Sequence, residues 1–307
     1  MPHIFEIKQF PRRAIRKIMR VIVFPILAIP LKWFEKKILG EIAFRSARAD
    51  YTIDPIIIKN VHYKDTKIKV HIQSFFDYWR IKEYEKHPVD NISEYLSSTG
   101  NNSDEIIYYE IGANIGYSAV MIAKMIQNRG KVVTFELAPT NFKTLTNNIA
   151  LNQLENVTAI PVGLSNKSTI QKFYYNRFHD NASKFSTSGM GMHSINFNSQ
   201  VHDKNFFYNA ILMSTDFVID EFSLPFPTHI FIDAHGAEDE IILGMEKTLG
   251  NSSLIVVMVD VEDKKLEESI SHKMITEAGF KLADKITEVG SGVVPTSYKG
   301  VYERSKQ

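Results

Sequence analysis

From residue 105 onward, short runs of β-branched and aromatic residues alternate with stretches whose apolar positions recur at helical spacing. Ile106–Ile111 (IIYYEI) predicts a strand. Ser118–Gln127 places Val120, Met121, Ala123 and Met125 at helical spacing and predicts a helix, ended by Arg129-Gly130. Lys131–Glu136 (KVVTFE) is a second strand, and Pro139 opens a helix to about Asn152 with Phe142, Leu145 and Ile149 on one face. Val157–Val162 and Ile170–Tyr175 are two further strands. Residues 176–210, rich in Asn, Ser, Gly and His, form the longest polar stretch of this zone and have the character of a lid or binding loop. Beyond them, His229–Asp233 is a strand. Ala237–Leu249 is a helix whose first turn holds Glu238, Asp239 and Glu240, complementing its dipole. Leu254–Asp260 (LIVVMVD) is apolar up to its acidic end, as a central buried strand should be. Leu266–Ala278 is a helix stopped by Gly279, and Phe280–Ile286 and Ser297–Arg304 are two last strands. This alternation predicts an α/β domain with a largely parallel sheet over residues 101–304.

Residues 1–100 do not follow it. Residues 51–100 mix short apolar runs (Ile56-Ile57-Ile58, Ile68–Ile72) with Phe75, Phe76, Tyr78 and Trp79, and are expected to cap the main domain. Residues 1–50 are basic and apolar by turns. They change the meaning of the formal net charge of +1, because they hold 11 Lys/Arg against 4 Asp/Glu, leaving 25 against 31 in the remainder. A basic arm on a mildly acidic body points to an anionic surface. The apolar run Val21–Leu31 is too short to span a bilayer and is interrupted by Pro25 and Pro30. Two readings stay open for this extension. Residues 12–37 touch a membrane peripherally, with Trp33 and Phe34 entering the interface, or the apolar stretch packs on the main domain or a second copy. Nucleic acid is not an expected partner, because no base-reading motif accompanies the arm. The expected location is cytoplasmic, at a membrane if the first reading holds. The chain has no cysteine, which excludes disulfides, Cys-ligated metals and a thiol nucleophile.

The chemistry concentrates at strand ends. Glu110-Ile111-Gly112-Ala113-Asn114-Ile115-Gly116 lies at a strand-to-helix junction, where small residues let backbone approach a ligand and the helix start offers free N–H groups. Asn114 stands where the dinucleotide fingerprint has its second glycine. Glu110 would repel a pyrophosphate and suit an ammonium, which argues against an NAD-dependent oxidoreductase. S-adenosyl-L-methionine carries an ammonium and a sulfonium and no phosphate. Glu136, at the end of the second strand, can accept both hydroxyls of a ribose, and Leu137 can pack on an adenine face. Asp233 and His235 follow the strand His229–Asp233, and a histidine there can act as general base for a hydroxyl. Asp233 and Asp260 end two strands and could bridge a hard cation, but acids at strand ends are common, and no metal ligand is assigned.

With these stretches in view, the chain resembles the FkbM-type S-adenosylmethionine-dependent methyltransferases over about residues 100–303. The resemblance rests on EIGANIG, FELAPTNFKTLTNNIALN, GLSNK and IDAHGAEDEIILGMEKTL, in that order. It implies a Rossmann-like class I methyltransferase fold, a mostly parallel seven-stranded sheet with helices on both faces, here with an N-terminal helical extension. It implies methyl transfer to a hydroxyl of a sugar, glycan, glycolipid or natural product, so the partner is a small-molecule or glycan- or lipid-linked acceptor. Glu110, Gly112, Ala113, Asn114 and Gly116 would line the methionine end of the cofactor, Glu136 its ribose, with Leu137 and Ser165 completing the set. His235 is the candidate base, with Asp233 orienting it or the substrate. The family's later motif usually reads I-K-I-D-V-E-G-A-E, whereas this chain has Phe231, Ala234 and His235 in place of the Lys, Val and acid. Either His235 replaces that acid, or the substrate has changed, or the protein is a catalytically degenerate scaffold.

Overall fold

The computed structural model describes residues 57–63, 65–72, 95–96, 105–176, 202–234, 236–262, 269–287 and 297–305. The expectations for residues 1–50, including the contact surface at 12–37, and for the aromatics at 75–79 fall outside them.

The strands are β1 (Ile57–Tyr63), β2 (Thr66–Ile72), β3 (Ile106–Ile111), β4 (Gly130–Phe135), β5 (Val157–Ile160), β6 (Gly163–Leu164), β7 (Thr169–Asn176), β8 (His202–Met213), β9 (His229–Ile232), β10 (Val256–Glu262), β11 (Phe280–Thr287) and β12 (Ser297–Arg304). The α-helices are α1 (Tyr117–Ile126), α2 (Pro139–Leu151), α3 (Thr215–Glu221), α4 (Glu238–Leu243), α5 (Glu246–Gly250) and α6 (Ile270–Glu277). Seven strands form the main sheet in the order β11-β12-β10-β9-β3-β4-β5. Pairing is parallel from β10 through β5, and β12 runs antiparallel to both its neighbours.

Strand alternation divides the core into two layers. Ile106 and Tyr108 of β3 pack with α1, Leu145 of α2, and Val61, Ile68 and Val70 of the β1–β2 hairpin. Ile107, Tyr109 and Ile111 face the other way, onto Val218 and Ile219 of α3, Ile241 and Ile242 of α4, Leu249 of α5 and Ile275 of α6. Every residue of β3 is therefore buried, as a strand covered by helices on both faces requires. The chain runs from β3 to β4 on one side and later returns to β9 on the other. The β3/β9 boundary is thus the switch point at which an open α/β sheet leaves a crevice beyond its strand ends.

Four sequence expectations change. The helix expected over Ala237–Leu249 is two short helices, α4 and α5, separated at Gly244 and Met245. At this junction a Cβ on Gly244 would lie 2.1 Å from the Ser165 carbonyl oxygen, so a glycine is needed where the neighbouring segment packs on the break. The polar stretch 176–210 is not all loop, because 202–210 belong to β8, which pairs antiparallel with β7; residues 177–201 lie outside the described residues. The strand expected over Val157–Val162 stops at Ile160, and Gly163–Leu164 joins β7 and β8 in a separate three-stranded sheet. The last helix begins at Ile270, where the Ser269 side chain accepts the His272 N–H at 3.0 Å and caps it.

The hairpin is fastened to α2 by two asparagines one turn apart. Asn152 exchanges two hydrogen bonds with the Lys69 backbone, at 2.8 and 2.7 Å. Asn148 accepts the His71 N–H at 2.7 Å and donates to the Ile115 carbonyl at 2.8 Å. Arg304 anchors the end of β12 by donating to the carbonyls of Leu249, Asn251, Leu254 and Ala278. Among the described residues, no helix is long and apolar enough to cross a membrane.

Candidate functional site

The turn between β3 and α1 is built from left-handed residues at every second position: Gly112 at φ +87, Asn114 at φ +55 and Gly116 at φ +78. Gly112 and Ala113 donate their N–H groups to the Phe135 carbonyl at 3.0 and 3.1 Å, which ties the turn to the end of β4. Gly112 also abuts β9, because a Cβ there would lie 2.1 Å from the Asp233 carbonyl oxygen. Gly116 packs on Leu145, with 2.2 Å between a hypothetical Cβ and Cδ1. Asn114 fits because asparagine is among the few non-glycine residues that tolerate the left-handed region.

Glu136 closes the turn. Its Oε2 accepts the Asn114 N–H and its Oε1 the Ala138 N–H, both at 2.7 Å, and Asn141 adds a side-chain hydrogen bond. A carboxylate oxygen holding one backbone N–H still has a lone pair for a ligand hydroxyl. Burial pushes the Glu136 carboxyl up to about 7 against these hydrogen bonds.

Glu110 lies deeper, 3% exposed. Ser118 of α1 donates to its Oε1, while Oε2 is buried with no hydrogen-bond partner among the described residues. Burial pushes this carboxyl up to about 8. Ser118 and Lys299 act to lower it, and Asp233 and Glu136 raise it further. A buried oxygen without a partner is costly, and it is an acceptor for a cation that enters the site.

The β9 end is held by Glu238, whose two oxygens accept the Ala234 N–H at 3.1 Å and the Gly236 N–H at 2.8 Å. Burial, with Asp233 adding to it, raises this carboxyl to about 7. The Asp233 N–H donates to the Ile111 carbonyl at 3.0 Å, so Asp233 stands beside the Gly112 turn. His235 lies outside the described residues. Leu137 neighbours the turn of β6, and its carbonyl accepts the Tyr208 hydroxyl at 2.9 Å. Ser165 makes its contacts elsewhere: its N–H donates to the Met213 carbonyl and its own carbonyl packs on Gly244.

The structure thus brings Glu110, Gly112, Ala113, Asn114, Gly116, Glu136, Leu137 and Asp233 to one edge of the sheet. Sequence reasoning missed Ser118, Asn141, Glu238 and Lys299. Only Glu238 had a local signal, as the last acid of the quoted motif. Among the described residues no group of three or more acids and histidines could hold a metal.

These carboxyls give the fold a pH signature. In the folded protein Glu110, Glu136 and Glu238 keep protons to about 8, 7 and 7, against an ordinary 4.5. The folded state binds the extra protons, so stability falls as pH rises toward 8. His229 opposes this only in acid: burial lowers it to about 4 from 6.5, so the unfolded chain takes the extra proton below 6.5. The melting temperature should therefore fall steadily between about pH 6.5 and 8, and Glu110→Gln should flatten the upper half of that decline. A wild-type melting temperature that is constant or rising across this window would contradict the assignment.

The family model described as the methyltransferase FkbM domain matches residues 110–282. A search of curated proteins finds no match. Among solved structures, the chain is similar to methyltransferase FkbM from Methylobacillus flagellatus KT, at 10% identity and a TM-score of 0.42, covering 87% of this chain and 60% of that one. It is similar to precorrin-6y C5,15-methyltransferase from Geobacter metallireducens GS-15, at 13% identity and a TM-score of 0.37, covering 66% and 82%. It is also similar to M. jannaschii TYW2 in complex with AdoMet, at 16% identity and a TM-score of 0.38, covering 82% and 89%.

Proposed function

The chain belongs to the FkbM methyltransferase family, and from that premise we propose that it transfers a methyl group from S-adenosyl-L-methionine to a hydroxyl of a sugar, glycan, glycolipid or natural product. The observation that carries the reading is the pair of buried carboxylates flanking the left-handed turn. Glu110 offers an unpartnered Oε2, the complement of an ammonium. Glu136, which already accepts the Asn114 and Ala138 N–H groups, stands at the strand end where a ribose diol would be met. Nothing in this donor set favours a pyrophosphate.

When bound, the cofactor would supply an electrophilic sulfonium methyl group, whose transfer to an oxygen nucleophile forms the O–C bond as the S–C bond breaks, the thioether leaving with the electron pair on sulfur. The chain's residues align, exclude water and move a proton. Glu110 holds the cationic end of the ligand, Glu136 its ribose, and Leu137 one face of its base. Glu238, by pinning the Ala234 and Gly236 N–H groups, fixes the segment that carries the proposed base, His235. His235 takes the hydroxyl proton and Asp233 orients it.

A turnover assay with a labelled methyl donor against sugars, glycans and glycolipids tests this reading, with a labelled methyl ether as the expected product. His235→Ala should lower turnover about 100- to 10,000-fold while leaving S-adenosylhomocysteine affinity unchanged. Tight binding of that ligand with no methyl transfer to any hydroxyl acceptor would replace the enzyme with the degenerate scaffold.

A further inference from the structure

The rim of the sheet that carries the carboxylates also carries a cation from its other end. Cross-strand register sets Glu110 of β3 beside Phe231 of β9, Phe231 beside Met258 of β10, and Met258 beside Val301 of β12. Two residues on, toward the strand ends, Lys299 of β12 pairs with Asp260 of β10. From there the Lys299 ammonium reaches back over the sheet, with Nζ 5.0 Å from the centre of the Phe231 ring. That ring is buried and lies next to Glu110. An aromatic face with its negative quadrupole is a fitting seat for an ammonium that has left bulk water. Lys299 is half-buried, and the Arg304 clamp five residues on fixes the far end of the same strand.

We infer that Lys299 is the positioning residue of this site: seated on Phe231, its ammonium favours the ionised form of the Glu110 carboxyl against the burial that opposes it, and so readies that group for a cationic ligand. Among the described residues, the groups facing Glu110 from each packed element are Ser118 of α1, Tyr108 of β3, Glu136 after β4, Asp233 after β9 and Lys299 of β12. Two of these are acids and repel its charge. Ser118 supplies a hydrogen bond to one oxygen, and Lys299 is the only cation among them. A buried carboxylate among like charges discharges by taking up a proton unless a counter-charge stands near. Lys299 supplies that charge from three strands along the sheet, without occupying the unpartnered Oε2. The ligand's own cation can therefore enter between them. The role rests on the proposed function, since it presumes that the entering ligand is cationic.

Two measurements test it and fail separately. The first is the titration of isotope-labelled glutamate carboxyl groups by NMR in the full-length, ligand-free protein, with Glu110→Gln assigning the resonance. The midpoint of Glu110 should move to higher pH in Lys299→Met and return in Lys299→Arg. An unmoved midpoint in Lys299→Met, or no return in Lys299→Arg, overturns the inference. The second is S-adenosylmethionine affinity across pH. Lys299→Met should bind about 5- to 10-fold more weakly near pH 7, with the gap closing as the medium becomes alkaline and Glu110 ionises in both proteins. A gap of constant size at every pH would mean that Lys299 touches the ligand directly, and would overturn the positioning role. A shifted midpoint in a protein that binds no S-adenosyl ligand upholds Lys299 as the counter-cation of Glu110 and removes the proposed function instead.

Discussion

Glu136→Ala abolishes measurable binding of S-adenosylhomocysteine. The carboxylate is 8% exposed and acts in two directions. Toward the protein it accepts the Asn114 and Ala138 N–H groups, so it fastens the left-handed turn to the start of α2. Toward the ligand it is the acceptor assigned to the ribose hydroxyls. A hydrogen bond to a charged group contributes about 1.5–3 kcal/mol, so losing two costs about 3–6 kcal/mol. That corresponds to a roughly 100- to 10,000-fold weaker complex, before any loosening of the turn is counted. Glutamine should not rescue it. Its amide nitrogen would face one of the two backbone N–H groups, donor against donor. Calorimetry reads the affinity directly, and wild-type affinity in Glu136→Ala would show that the ribose lies elsewhere. A melting temperature measured on the same protein separates the two roles. A large fall alongside lost binding assigns much of the effect to the turn, and a small one assigns it to the ribose.

The parts of this site that could be read from the sequence were those whose cause is local. Glu110 and Glu136 each follow an apolar run that is buried on both faces, and Pro139 marks the start of α2 at the first helical position. The glycines at 112 and 116 announce backbone that side chains cannot share. What escaped was set by contacts between distant segments. At the break between α4 and α5, Gly244 lies against the Ser165 carbonyl, a meeting of residues 79 positions apart. β8 was read as part of a polar loop because His202, Asp203, Lys204, Asn205 and Asn209 give it loop composition. Residues 202–213 are nonetheless a strand, because they pair antiparallel with β7, a partner that local composition does not reveal. Lys299 had no signal at all, since its neighbour Phe231 lies two strands away and 68 residues earlier.

Gly112→Ala should be the most damaging single methyl group in the protein. Two costs meet at this position. At φ +87 an L-residue is strained, by about 1–2 kcal/mol. The added Cβ would also stand 2.1 Å from the Asp233 carbonyl oxygen, which is backbone and cannot rotate away. Relief requires β3 and β9 to separate at their shared end, where the Asp233 N–H to Ile111 carbonyl bond joins them. The expected loss is about 3–5 kcal/mol, the range of core substitutions that force backbone to move. For a domain of this size that lowers the melting temperature by roughly 6–20 °C. Two other glycines separate the terms. Gly236 has φ +94 but nothing within 4 Å of a hypothetical Cβ, so Gly236→Ala should cost only the conformational part. Gly250 has neither a positive φ nor a close neighbour, and Gly250→Ala should be nearly neutral. The order Gly112, then Gly236, then Gly250 is therefore fixed by geometry alone. If Gly112→Ala melted no lower than Gly236→Ala, the close approach of the turn to β9 would not exist in solution. The crevice at the β3/β9 boundary, on which both carboxylate assignments depend, would then have to be redrawn.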